Sequence, residues 1–140
     1  LMVRPMTPDE REAFLQEPYL AIVATLGPDG VPHLTPVWHH FDGRRFMLLC
    51  EPFAVKVRNM KRDRRVSLCI STDDEPARYV LVQGTATLSD DWDPELLRAM
   101  SLRYVGAEKG ERYFERTYKE VRFSLVTVTP SKVISRVEEE

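Results

Sequence analysis

The sequence predicts a mainly β fold with short helices, six mostly antiparallel strands closed into a small barrel. Two observations carry this reading. Short apolar runs rich in β-branched residues are separated by turn signals, Gly27-Pro28-Asp29-Gly30 and Asp42-Gly43 among them, and strands joined by tight turns pair antiparallel. The chain is also short, 140 residues, which is about one domain's worth, so residues 1–140 are read as one unit. Closure of six strands in so small a unit removes the edges that would otherwise pair with other chains.

The elements follow in order. Thr7 caps a first helix, Pro8 suits its first position, and Glu10 completes a capping box. Phe14 and Leu15 supply its apolar face, and Pro18 ends it. Residues 20–26 form the first strand, 33–41 the second and 45–50 the third, expected to pair as one meander. From 54 to 61 the period turns helical, with Val57 and Met60 three apart on one face. Strands over 66–71 and 79–88 flank a polar loop at 72–76. Pro94 opens a helix whose apolar face holds Leu96, Leu97, Met100 and Leu102. Gly106 and Gly110 are read as breaks before a short helix over 111–118. A sixth strand spans 121–129; Pro130 bends it, and 133–137 continue the pairing.

Composition narrows the function. Hydrophobic residues make up 43% and charged residues 30% with a net charge of −2, values of a folded soluble domain rather than a disordered one. Near-neutral charge argues against a dedicated nucleic-acid binder. No apolar run reaches the roughly 18 residues of a membrane helix, and the first residues show no export signal, so a cytoplasmic protein is expected. Cys50 and Cys69 are too few for a disulfide framework and lack metal-ligand spacing; both are read as replaceable strand residues. Phosphate-loop, dinucleotide, nucleophile-elbow and zinc-helix motifs are all missing. His39 and His40 are neighbours on a strand and so face opposite sides; one is expected inside and one in solvent, with no metal between them.

One segment stands apart. Residues 56–65 hold Lys56, Arg58, Lys61, Arg62, Arg64 and Arg65 against Asp63 alone. Six cations and one acid give this stretch +5, so the remainder carries −7 to reach the overall −2. Lys56 falls in the first helical turn, where free backbone amides and the positive dipole end favour a phosphate. Arg58, two residues on, points elsewhere, toward a second anionic group or a partner chain. The segment lacks the aromatic residues that stack bases, so an anionic small molecule fits better than nucleic acid.

The order of these motifs resembles one superfamily. A Pro32-His33-Leu34-Thr35-Pro36-Val37-Trp38 strand precedes the Asp42-Gly43 turn. Lys56-Val57-Arg58-Asn59-Met60-Lys61-Arg62-Asp63-Arg64-Arg65-Val66-Ser67-Leu68 follows. Val80-Leu81-Val82-Gln83-Gly84-Thr85-Ala86 and Arg103-Tyr104-Val105-Gly106 come later. From about residue 8 to 136 the chain resembles the pyridoxamine 5'-phosphate oxidase-like proteins, most of all the deazaflavin (coenzyme F-420)-dependent reductases. The resemblance implies a six-stranded Greek-key split β-barrel, the FMN-binding split barrel, assembled as a homodimer with a flavin or deazaflavin between subunits. It implies that Lys56 holds the cofactor phosphate and that Thr35, Pro36, Val37 and Trp38 line the ring. It places Arg78 and Tyr79 on the strand bordering the cofactor, often from the partner subunit, and Asn59 in the helix motif. Cys50 stands where FMN-binding oxidases have a phosphate-binding threonine, and Ala54 and Val55 where they have a serine and an arginine.

The expected function is therefore an oxidoreductase that passes hydride from reduced coenzyme F-420 to a small conjugated organic substrate. Alternatives are an FMN-dependent oxidoreductase of the same family, a flavin-binding or carrier protein without turnover, and a haem-handling relative. The altered contacts at Cys50, Ala54 and Val55, with the basic run beside them, favour the acidic deazaflavin over FMN. Arg58 and its basic neighbours would meet the acidic tail. Tyr79, Tyr104, Tyr118, His39 and His40 are candidate proton donors, with solvent as good a source. The stretch 80–82 and Trp38 are candidate dimer contacts.

Overall fold

The computed structural model describes residues 2–139. Within these residues the chain forms β1 (Met2–Arg4), α1 (Pro8–Gln16), β2 (Ala21–Leu26), β3 (Pro32–Val37), β4 (His40–Phe41) and β5 (Phe46–Cys50). Then come α2 (Val55–Arg62), β6 (Arg65–Thr72), β7 (Arg78–Ser89), α3 (Pro94–Val105), α4 (Ala107–Glu120) and β8 (Ser124–Glu139). The capping box at α1 is formed: the Glu10 amide donates to Thr7 Oγ1 at 3.2 Å, and the Thr7 amide donates to the Glu10 carboxylate at 3.0 Å. Alternation does the rest. Ala21 and Val23, Leu68 and Ile70, Val80 and Val82, Val126 and Val128, Phe46 and Leu48 all point to one core, with Phe14 and Leu15 from α1 and Val57 and Met60 from α2. Each such buried apolar side chain contributes roughly 1.5–3 kcal/mol.

All pairings are antiparallel, in the order β3-β2-β6-β7-β8-β5-β4, with β1 added to β8. Strands β3 and β4 are consecutive in the chain yet lie at opposite ends of this path. Only Trp38 and His39 separate them, and the three Cα steps from Val37 to His40 span at most about 11 Å. The sheet must therefore curl until its ends almost meet. The result is a split barrel, open along the seam between β3 and β4. Among the described residues no helix is long and apolar enough to cross a membrane.

Several expectations are corrected. The strand expected over 33–41 is two strands, and the meander does not form: β3 pairs with β2, β4 pairs with β5, and β3 does not pair with β5. The seam requires this break. With β1, six expected strands become eight. β1 escapes sequence reading because its first two residues are exposed and it is held by others: it pairs with the end of β8, and Arg4 donates to Glu10 at 2.8 Å and Glu139 at 2.7 Å. The two expected segments at 121–129 and 133–137 are one strand, β8, with a register shift opposite Gln83/Gly84 near Pro130, where a missing N–H costs no ladder bond.

Gly106 does break the helices, at φ 99°, a conformation that glycine adopts freely. Gly110 does not; it lies inside α4. A Cβ there would sit 2.6 Å from the Ser101 carbonyl oxygen of α3, so glycine lets the two helices pack as a tight hairpin. Gly110→Ala should therefore destabilise the fold by about 1 kcal/mol or more, because overpacking against backbone outweighs the roughly 1 kcal/mol alanine gains in helix propensity. Urea unfolding measures this; a stabilised variant would show that the hairpin can open at no cost.

Candidate functional site

A cavity of about 320 Å³ opens where the ends of β3 and β5, the start of α2 and the α3–α4 hairpin meet. From the barrel side Pro36, Val37, Trp38, Cys50, Ala54 and Lys56 line it. The hairpin side supplies Leu97, Met100 and Tyr113. Lys56 Nζ donates to Thr35 Oγ1 at 3.2 Å, which draws the ammonium across the mouth of the cavity toward β3. Ala54, the residue before α2, provides no side-chain cap, and no acidic residue occupies the first turn. The Val57 and Arg58 amides donate to the Ala54 carbonyl at 3.1 and 3.2 Å, and those of Val55 and Lys56 are left for a ligand, next to a lysine. This donor set suits a phosphate. One carboxylate, that of Glu51, also borders the cavity.

The wall beside Trp38 is a ladder of aromatic and cationic side chains. Trp38 stacks on Tyr104 with centroids 5.0 Å apart and planes 2° apart, and Tyr113 packs on it at 5.1 Å. Arg103 lies 4.9 Å from the Tyr104 ring and Arg116 lies 5.8 Å from that of Tyr113, so a cation closes each end. Tyr104 is fully engaged: its hydroxyl donates to the Tyr19 carbonyl at 2.8 Å and accepts from the His39 amide at 3.1 Å and from Arg103 at 3.2 Å. Arg103 also donates to the His39 carbonyl. The seam residues are thereby tied to α3 through both backbone groups of His39.

Of the six cations in 56–65, three besides Lys56 are engaged within the fold. Arg62 donates to the Leu26 carbonyl at 2.8 Å and to Asn59 Oδ1 at 2.9 Å. Arg64 reaches the Ala86 carbonyl at 3.4 Å. Arg65 pairs with Asp63 at 2.8 Å, and that bond holds the Asp63 carboxyl down at about 2. Lys56, Arg58 and Lys61 form no salt bridge among the described residues. Arg58 sits roughly 200° around α2 from Lys56, outside the cavity.

Residues 7–136 match the model of one family, described as pyridoxamine 5'-phosphate oxidase. The chain belongs to that family. It is similar to an F420H(2)-dependent biliverdin reductase of Mycobacterium tuberculosis, 29% identical over 96 residues that make up 69% of this chain and 68% of that protein. A conserved hypothetical protein of Mycobacterium tuberculosis, Rv2991, has a similar structure, with a TM-score of 0.76 and 28% identity over 93% of this chain and 84% of the other. A structure described as an F420 reductase shares the fold, with a TM-score of 0.69 and 23% identity over 87% of this chain and 94% of the other. Within the family, the chain stands close to the F420-dependent reductases.

The structure brings together six of the ten residues singled out from the sequence. Pro36, Val37, Trp38, Cys50 and Lys56 border one cavity, and Thr35 bonds Lys56 at its edge. Four lie outside it. Besides Arg58, Asn59 is buried and braces α2 against β2, donating to Thr25 Oγ1 at 3.1 Å. Arg78 lies 5.2 Å from the Phe14 ring and 5.7 Å from that of Tyr19, and donates to the Tyr19 hydroxyl at 3.0 Å. Tyr79 is exposed on the outer face of β7. Sequence reading missed Tyr113 and Phe123 and took Leu97 and Met100 as plain core. No local signal separated them, since a pocket wall and a core face on α3 carry the same apolar residues.

His39 is buried, as expected for one of the pair, but His40 is half-buried rather than in solvent. Among the described residues neither ring nitrogen of His39 has a hydrogen-bond partner, and burial beside the Arg103 guanidinium pushes its imidazole from 6.5 down to about 3. The folded chain thus keeps His39 neutral where the unfolded chain protonates it. Stability is full above pH 6.5 and declines as pH falls toward 3. His40 is also lowered, by burial first, and adds a decline of the same sign. His39→Leu should remove the larger part of the decline between about pH 6.5 and pH 5, above the carboxylate range, while costing little at neutral pH because no hydrogen bond is lost. Urea unfolding of both proteins across this window checks it; parallel pH profiles would refute it.

Proposed function

We propose that the protein is an oxidoreductase that binds coenzyme F-420, a deazaflavin, in a groove completed by a second copy of the chain, and passes hydride to a small conjugated organic substrate. The observation that carries this reading is the phosphate-type donor set at the start of α2, with Arg58 and Lys61 on the same helix in no salt bridge among the described residues. The F420-dependent activity in the name of the mycobacterial biliverdin reductase supports the same chemistry. Lys56 and the free amides of α2 hold the phosphate. Arg58 and Lys61 meet the acidic tail. The strand through Thr35, Pro36 and Val37 and the following Trp38 bound the ring. Cys50, Ala54 and Val55 offer no charged contact, which favours the tailed deazaflavin over FMN. When bound, the cofactor supplies the hydride. The proton comes from solvent, since Tyr104 is fully hydrogen-bonded and His39 is buried and hard to protonate.

The outer face of the barrel supports the second copy. Pro36, Ile22, Cys69, Leu81 and Ile134 stand in register across β3, β2, β6, β7 and β8, with Leu34 and Leu20 exposed beside them. Such an apolar stripe marks an association surface. Of the expected contact stretch 80–82, Val80 and Val82 point inward and Leu81 alone is exposed; Trp38 is taken up in the ladder. Arg78 and Tyr79, outside this protomer's cavity, would complete the groove of the other protomer.

Titration with coenzyme F-420 and FMN at low and high salt tests the cofactor. F-420 should bind more tightly, and its affinity should fall more with salt, because the charges that meet its tail are exposed and screened over about 8–10 Å. Tighter FMN binding at every salt would overturn the ranking. Lys56→Ala should weaken F-420 roughly tenfold to a hundredfold, the value of one charge-assisted contact, and leave the unfolding midpoint unchanged. Leu81→Arg should convert the dimer to a folded monomer in sedimentation and weaken cofactor binding with it; a wild-type monomer would remove the second copy from the proposal.

A further inference from the structure

Another cavity, about 270 Å³, opens at the start of β5, where α1, the β4–β5 turn and the part of β8 near Pro130 come together. Phe41 and Phe46, both buried and packed at 4.7 Å, give it an apolar lining with Leu15 of α1 and Val133 of β8. Gln16 ties α1 to this wall by donating to the Phe41 carbonyl at 3.3 Å. Arg11 and Arg44 border the same cavity. Arg11 stands one helical turn before Leu15 and so shares its face; Arg44 is set by the turn after β4.

These two arginines differ from most others in the chain. Six arginines form salt bridges, and four more donate to backbone carbonyls. Among the described residues the side chains of Arg11 and Arg44 do neither, and no carboxylate lines the cavity. The nearby acids are engaged elsewhere: Asp42 accepts from the Arg44 and Arg45 amides at 2.9 and 2.6 Å, and Glu12 accepts from Gln16 at 3.2 Å. Two like charges bordering one space repel each other and gain from a shared anion. Guanidinium groups match the planar fork of a carboxylate, and the aromatic lining suits an apolar body. The volume, just below the roughly 300–1,000 Å³ of drug-sized sites, limits that body to about one ring. We propose that this cavity is a second ligand site, taking a small organic carboxylate whose apolar body packs on Phe41 and Phe46 and whose carboxylate meets Arg11 and Arg44. Strand β5 runs from this cavity to the first, with Phe46 at one and Cys50 at the other, about 13 Å of strand. Both sites can therefore be filled at once, and the assignment does not rest on the cofactor reading.

Benzoate is the probe, titrated into the isotope-labelled chain while the amide signals are followed by NMR. Saturable shifts are expected at Leu15, Gly43 and Phe46, unchanged by Lys56→Ala or by added coenzyme F-420. Benzamide, which keeps the ring without the charge, and inorganic phosphate, which keeps charge without the ring, should each bind at least about tenfold more weakly. Arg11→Gln and Arg44→Gln alter side chains that reach solvent. Each should weaken benzoate roughly tenfold, as expected for one charge-assisted contact, with the unfolding midpoint unchanged. Absence of saturable shifts at these amides, benzamide or phosphate binding as tightly as benzoate, or indifference to both arginine changes would each overturn the site. So would loss of the shifts in Lys56→Ala or on adding F-420. If benzoate binds as expected while F-420 does not bind at all, the second site stands and the cofactor proposal fails.

Discussion

The structure depends on how the chain crosses the seam of the barrel. Trp38 and His39 carry it from one end of the sheet to the other with no ladder bond between β3 and β4. Both backbone groups of His39 must find partners elsewhere, since unpaired buried amides and carbonyls are costly. Tyr104 and Arg103 supply them from α3. Closure of the barrel and placement of the helical hairpin are therefore one event. Because Trp38 stacks on Tyr104, the wall of the cavity is set by the same contacts that hold the seam.

Two helix termini then give the groove its electrical character. The start of α2 is uncapped and carries Lys56, whereas the end of α4 opens toward Phe123 with Glu120 in its last turn. Opposite dipole ends thus lie on either side of Phe123. The neutral His39 beside Arg103 adds no further positive charge behind Tyr104.

Much of this was legible in the sequence. The α1 capping box, the existence of strands β2 and β5 to β7, and the position of Lys56 at a helix start all come from local chemistry, and local chemistry survives folding. The division of 33–41 did not, because nothing in that run distinguishes a straight strand from one that must turn a corner; the turn is imposed by closure. Asn59 looked like part of a ligand motif, yet its amide is spent on Thr25, a partner 34 residues away. The basic run looked like one patch, but half of it is tied to carbonyls and to Asp63 that only the fold brings near. The hairpin's share of the cavity was hidden for the same reason: Leu97 and Met100 read as core because a core face and a pocket wall have the same composition.

Strand β8 pairs with β1, β5 and β7 at once, and it follows all three in the chain. Translation therefore delivers the central element of the sheet last. Until it arrives, β5 and the outer edge of β7 have no partner along that side, and their apolar faces and free amides stay open to chaperones or to other nascent chains. The contacts that complete the barrel are also distant in sequence, with Cys50 opposite Ser124 and Arg4 opposite Val137, so formation of this fold is governed by slow long-range closure rather than by local zippering. Any arrest of synthesis before β8 leaves a chain that has its helices and hairpin signals but no means of closing.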